Sequence, residues 1–274
     1  MSTARPTWRS ALAIGALAIA AISYLFVTAP PPLEASTSDA RTVPIDRVFA
    51  MLEAENDHAR ALWTQEIVER GKLSGLAFDE RWREPTVDAG PLPALFLRET
   101  ARALERRGVR LGLFLGSRFP INTANRFTGP QLARFTTLEA TGEPQLFFDP
   151  TTRQQTAMFS DRAIVDACAS CHNEHPDSPK RDWTRDAIMV ATTWMYPDAR
   201  IDARRALELL ASLRAAIRGA YTAYLDKART FASPPAIGAR WPRDGYAVPS
   251  ADVFMGELSR RSSDATLADL LEGM

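Results

Sequence analysis

Cysteine and histidine are scarce in this chain of 274 residues: there are two cysteines and three histidines. One pair of thiols can close at most one loop, so a disulfide-stapled framework is excluded. Charge of one sign is also lacking, because 33 lysines and arginines balance 33 aspartates and glutamates for a formal net charge of zero. Nucleic acid is therefore not an expected partner, since neutralising a phosphate backbone takes a clustered excess of cations. No serine–histidine arrangement, paired catalytic carboxylates or internal repeat stands out. The stretch "GLFLGS" at 112–117 has two glycines but neither the lysine nor the spacing of a phosphate-binding loop. Ordinary hydrolytic and nucleotide chemistry has no candidate residues.

What is present is concentrated. Both cysteines and two of the three histidines fall in "DACASCHNEHPDSPKRDW", residues 166–183. Three chemistries compete at this spacing. A redox dithiol would normally open a helix after a strand with a lowered thiol pKa; here His172, Asn173, His175, Pro176 and Pro179 read as turn-rich. Zinc could use Cys168, Cys171 and His175 with His58 as a remote fourth ligand, but only one close cysteine pair exists. A c-type haem needs two thiols for its two vinyl groups and a histidine directly after the second thiol as iron ligand. Cys168, Cys171 and His172 supply that set, and haem c is the cofactor this spacing favours.

The N-terminus adds a compartment. Arg5 and Arg9 precede an uncharged run at 11–27, followed by Pro30, Pro31 and Pro32. The run sits at the lower edge of the roughly 17–25 apolar residues that span a bilayer, and Pro30 disfavours cleavage after Ala29. Residues 1–30 read as a signal anchor or signal peptide and 31–42 as a linker. The positive-inside rule then leaves the body in the periplasm, anchored to the inner membrane by the N-terminal helix, or exported and soluble if that segment is removed.

Periodicity gives the elements. Over 45–70, Val48, Met51, Leu52, Glu55, Ala59, Leu62 and Trp63 recur at three- and four-residue steps, predicting an amphipathic helix that ends at Gly71. A second helix is expected at 92–108 and a short one at 129–140. Strands are expected at 109–117, 144–149, 156–160 and 187–195, so the haem motif precedes the last strand. A long helix at 199–231 places Leu207, Leu210, Leu213, Ile217, Tyr221 and Tyr224 on one face, and 232–274 reads as an irregular tail.

Four segments, "LPALFLRETARALE", "LGLFLGSRFPINTANRFTGPQLARF", "CASCHNEHPDSPKRDW" and "IMVATTWMYP", together resemble the exported single-haem c-type family with a PAS-like fold. That family includes periplasmic sensor domains of bacterial receptors and a stand-alone cyanobacterial haem protein. The resemblance covers a domain at 43–198. It implies an α+β fold: a five-stranded antiparallel sheet with haem against one face, a long N-terminal helix that can supply a distal ligand, and flanking helices with a C-terminal helical extension. Some members use a cysteine as distal ligand, and no third cysteine exists here; His58, on the first helix, is the first candidate and Met51, on the same face, the second, the other strong donors being His175 and the thioethers of Met158, Met189, Met195 and Met255. Arg118 and Lys180 lie in resembling segments and are candidates for the haem propionates, although each is equally an ordinary surface cation. Trp183 and Trp194 suit a porphyrin face or plain core. The implied function is sensing of redox state or of a small gas ligand through a receptor partner or a homodimer contact. The alternative is electron transfer to a redox protein partner, and an enzyme is not the expectation.

Overall fold

The structure, a computed structural model, describes residues 19, 20, 24, 42–243 and 245–272, with side chains described as far as residue 262. The apolar run at 11–27 lies outside the described residues except for Ile19, Ala20 and Tyr24, which are helical. Among the described residues no helix is long and apolar enough to cross a membrane. From Thr42 onward the chain forms one compact unit.

The three- and four-residue apolar rhythm of the first segment produces a long rod. Strand β1 (Thr42–Pro44) leads into α1 (Ile45–Ala61), a π-helical stretch (Leu62–Glu69) and α2 (Arg70–Leu73). Ala61 and Arg70 at the junctions are both right-handed helical, so the axis continues through them. The rod passes Gly71, the expected stop. Gly71 is buried, and a Cβ there would lie 3.1 Å from Leu76 and 3.2 Å from the Phe78 ring, so this glycine serves a close approach. The chain turns at Gly75, whose φ of +86° belongs to the left-handed region where only glycine is unstrained.

After the short parallel pair β2 (Ala77–Asp79) and β3 (Ala89–Pro91) comes α3 (Pro93–Glu105), opened by a proline at its first turn. Strand β4 (Gly112–Gly116), α4 (Gly129–Thr141), β5 (Gln145–Asp149) and β6 (Gln154–Arg162) follow. Helix α5 (Asp166–Glu174) carries the cysteines, and β7 (Ile188–Tyr196) comes next. The main sheet is antiparallel in the order β4-β7-β6-β5. It has four strands, where the family resemblance implied five.

Alternation divides this sheet between two cores. Leu113, Ala157 and Trp194 are register neighbours and join the main core with α1 and α3. Phe114, Met158 and Ala191 face the other way, onto Phe127 and onto Phe135 and Leu138 of α4. Strand β8 (Arg200–Asp202) pairs with β1 and starts α6 (Ala203–Ala228), whose N-cap is Asp202, accepting from the Arg205 backbone N–H at 2.8 Å. The buried face of α6 carries Leu209, Leu210, Leu213, Ile217, Tyr221 and Tyr224. Leu207, expected on that face, is exposed.

The C-terminal region is not the irregular tail anticipated. Strands β9 (Ile237–Gly238) and β10 (Val248–Pro249) form a small parallel pair, and α7 (Ala251–Glu272) is helical. Ser250 starts α7 by accepting from Val253 N–H through its hydroxyl and from Phe254 N–H through its carbonyl. Phe254 and Leu258 are fully buried in the core they share with α1 and α6.

Candidate functional site

Strand β6 delivers the chain to the cysteine segment, and extended backbone at Val165 precedes α5. On a helix of 3.6 residues per turn, positions i, i+3 and i+4 share one face. Cys168, Cys171 and His172 occupy those positions, so one short helix presents two thiols and an imidazole side by side. Cys168 is half-buried, Cys171 exposed, and His172 intermediate with a buried Nδ1 that meets no hydrogen-bond partner. Ala169 anchors the helix by packing with Ala163, Trp183 and Met189, and Cys168 packs against the same cluster.

The loop after α5 is tied back onto the helix. Asn173 Oδ1 accepts from the Trp183 backbone N–H at 2.8 Å, and its Nδ2 donates to the Trp183 carbonyl at 2.9 Å. Arg181 donates to the Pro176 carbonyl at 2.9 Å. His175 points elsewhere, with Nε2 3.3 Å from Glu80.

The arrangement bears on the competing chemistries. The motif does open a helix after a strand, contrary to the turn-rich reading, so helix position does not separate haem from a redox dithiol. Burial raises the Cys168 thiol above its ordinary value, and burial likewise raises Cys171, whereas a reactive dithiol needs a lowered one. Both cysteines are free. Among the described residues no three His, Cys, Asp or Glu side chains gather as a metal-ion site, so Cys168, Cys171, His175 and His58 do not form a zinc cage. His172 is held toward the neutral form, first by burial and then by His175, and the neutral imidazole is the form that ligates a metal.

The remaining candidates are dispersed. His58 Nδ1 lies 2.6 Å from the Ala54 carbonyl of its own helix, which leaves Nε2 as the ring's outward nitrogen. Among the described residues no hydrogen bond or ion pair joins His58 to α5. Arg118 donates to Thr136 Oγ1 and lies 3.5 Å from Glu139. Lys180 pairs with Asp182, and its ammonium sits 4.7 Å from the Trp183 ring centroid. Both cations thus already have acidic partners. Two surface clefts, of about 440 and 300 Å³, are lined by residues including Arg162 and Asp186 in one and Arg110 and Gln154 in the other, and neither is lined by the cysteines or His172.

Sequence reasoning missed a buried polar layer between α1 and the sheet. Trp194 Nε1 donates to Glu53 Oε2 at 2.6 Å, and Arg60 Nη2 lies 2.8 Å from Asp161 of β6. Glu53 Oε1, Asn56 Nδ2, Arg60 Nη1 and Thr192 Oγ1 are buried without a hydrogen-bond partner. Asp161 lies near the end of β6, a few residues before α5 begins, so the layer adjoins the approach to the motif helix. Polar residues at 53, 56, 60 and 64, recurring at three- and four-residue steps, were the available signal.

Comparison with protein-family models, with curated proteins and with solved structures finds no match for this chain.

Proposed function

We propose that this chain is an exported, membrane-anchored monohaem c-type protein with a PAS-like core, and that it senses redox state or a small gas on behalf of a partner. The observation that carries the reading is the placement of Cys168, Cys171 and His172 on one face of α5, with the thiols unpaired and burial favouring the neutral imidazole. An antiparallel sheet flanked by helices on both faces and preceded by a long helix supports the PAS-like reading. The residues present fit the group. Cys168 and Cys171 would hold it through two thioethers to its vinyl groups, and His172 would offer a ring nitrogen to the iron. The loop at 175–183, tied back onto α5, keeps that helix in place.

Bound there, the haem supplies an iron that changes charge by one electron or takes up a small gas such as nitric oxide, carbon monoxide or oxygen. The protein's own part is positioning. The Ala54 carbonyl orients His58, so that Nε2 is the atom this side chain would offer to the iron. Arg118 and Lys180 would serve the propionates only by giving up Glu139 and Asp182. Electron transfer to a redox partner is the second reading, and the exposure of Cys171 favours it, since it brings the attached edge to the surface.

The test is covalent attachment. Full-length protein made in cells that mature c-type cytochromes is denatured and run on a gel stained for haem. The wild type retains the stain, and the double variant Cys168→Ala/Cys171→Ala loses it. Haem removed from the wild type by acidified solvent overturns the reading.

A further inference from the structure

Four acidic side chains are withdrawn from water around the long helices, and three of them have a cation. Glu55, fully buried, takes a bidentate pair from Arg214 at 2.8 and 2.9 Å. Glu99 takes Arg83 and Arg102. Asp161 takes Arg60. Glu53 has none: its single hydrogen bond comes from the neutral indole of Trp194, and its other oxygen is buried without a partner. The inner cluster therefore holds two carboxyl groups, Glu53 and Asp161, against one guanidinium, with Asp57 3.6 Å from Arg60 at the exposed rim. An isolated buried carboxylate is far more costly than a buried carboxylic acid. The geometry thus calls for one more proton than full ionisation would leave.

The other charges near the long helix do not supply the missing cation. Glu53 and Glu55 are two residues apart and point about 200° from each other around the axis, so Arg214 of α6 serves the opposite side. Arg261 of α7 lies 3.4 Å from Glu66. Asp57 and Arg60 of α1 and Asp161 of β6 act on Glu53, while Trp194 and Thr192 of β7 are uncharged. Burial, first among the causes, pushes Glu53 up to about 8 and Asp161 up to about 6, so the proton equilibrium of the cluster spans neutral pH.

We propose that the Glu53–Asp161 cluster is a redox-linked proton site: when the chain takes up one electron, the cluster takes up one proton from solvent. The inference rests on the haem reading above and names its regulation. Asp161 stands near the end of β6, the strand that leads into α5, and Cys168, one point of attachment, packs against the cluster of Ala163 just beyond that strand, so a change of one unit of charge at the attached group would act on the same low-dielectric layer. The electron comes from a one-electron donor protein and the proton from water; oxidation returns both. The linkage makes the chain's redox equilibrium a function of pH.

The experiment uses the full-length haem-loaded protein. Its midpoint potential is titrated from below the Asp161 value of about 6 to above the Glu53 value of about 8. One proton per electron shifts the redox equilibrium tenfold per pH unit, about 59 mV. Glu53→Gln is expected to lose most of that slope, while Glu69→Gln, which removes an exposed acid that also acts on Cys168, keeps it. A readout that needs no variant is the redox infrared difference spectrum of protein labelled in its glutamate side chains. A label-sensitive band of a protonated carboxyl group, appearing on reduction, supports the site. A pH-independent potential in the wild type, an unchanged slope in folded Glu53→Gln, or no such band overturns it. Haem staining comes first: no covalent haem overturns both readings, whereas covalent haem with a pH-independent potential overturns this one alone.

Discussion

Glu53 and Glu55 sit two residues apart on one helix, both are buried, and only Glu55 has a cation hydrogen-bonded to it. A guanidinium with two short hydrogen bonds keeps Glu55 in a fully paired site, and only an indole N–H meets Glu53. The consequence for stability has a definite sign. Below its unfolded-state value of 4.5, Glu53 is protonated in both states; between there and about 8 the folded chain holds the extra proton. Stability contributed by the neutral form is therefore present at low pH and lost as pH rises through about 8. Chemical unfolding of wild type and Glu53→Gln across this range should show the wild type losing stability relative to the variant. The slope can reach about 1.4 kcal/mol per pH unit for one proton. Parallel curves for the two proteins would mean that Glu53 ionises equally in both states.

At the scale of elements, helices and strands declared themselves by spacing, and what spacing does not carry was lost. The apolar rhythm of 45–63 and the alternation around 109–117 each report on one segment's own face, and both produced the expected element. The motif helix announced its two thiols and imidazole in five consecutive residues. The pairing of Glu53 with Trp194 and of Arg60 with Asp161 joins residues about a hundred or more positions apart, and no pattern along one segment reveals it. Helix α7 was missed for a different reason. Four prolines at 234, 235, 242 and 249 dominate the approach, although Ser250 as a cap and Phe254, Met255 and Leu258 at helical steps were there to be read. Its role is quantitative. The Phe254 ring stacks on Tyr221 with centroids 4.0 Å apart, and Phe254 and Leu258 each bury a full apolar side chain, worth about 1.5–3 kcal/mol. A chain ending at Ser250 should unfold at markedly lower denaturant and bind a hydrophobic dye in its native state. Unchanged unfolding would show that α6 and α1 close this core without α7.

For the whole molecule, the haem reading and the export reading constrain each other. On the proposed reading, Cys168 and Cys171 would become thioethers only after the body had crossed the membrane, and the segment that would take it across is the apolar run behind Arg5 and Arg9. Export would give the polar layer a physical consequence, because burial raises Glu53 to about 8 and Asp161 to about 6, within the range of external pH an exported protein would meet. Two versions of the chain separate these links: one full length, the other starting at Thr42, the first residue of the folded unit. Both are produced in cells that mature c-type cytochromes. The full-length protein should be degraded by protease added to spheroplasts, stay with membranes through a high-salt wash, and carry haem stain on a denaturing gel. The shortened protein should remain in the cytoplasm, resist the added protease and show no stain. Redirecting that same body outward with an unrelated cleavable signal peptide should restore the stain without the membrane association. If the redirected body stays colourless while a control cytochrome is loaded, residues 42–274 do not by themselves accept haem, and the placement of Cys168, Cys171 and His172 on one helical face would need another explanation.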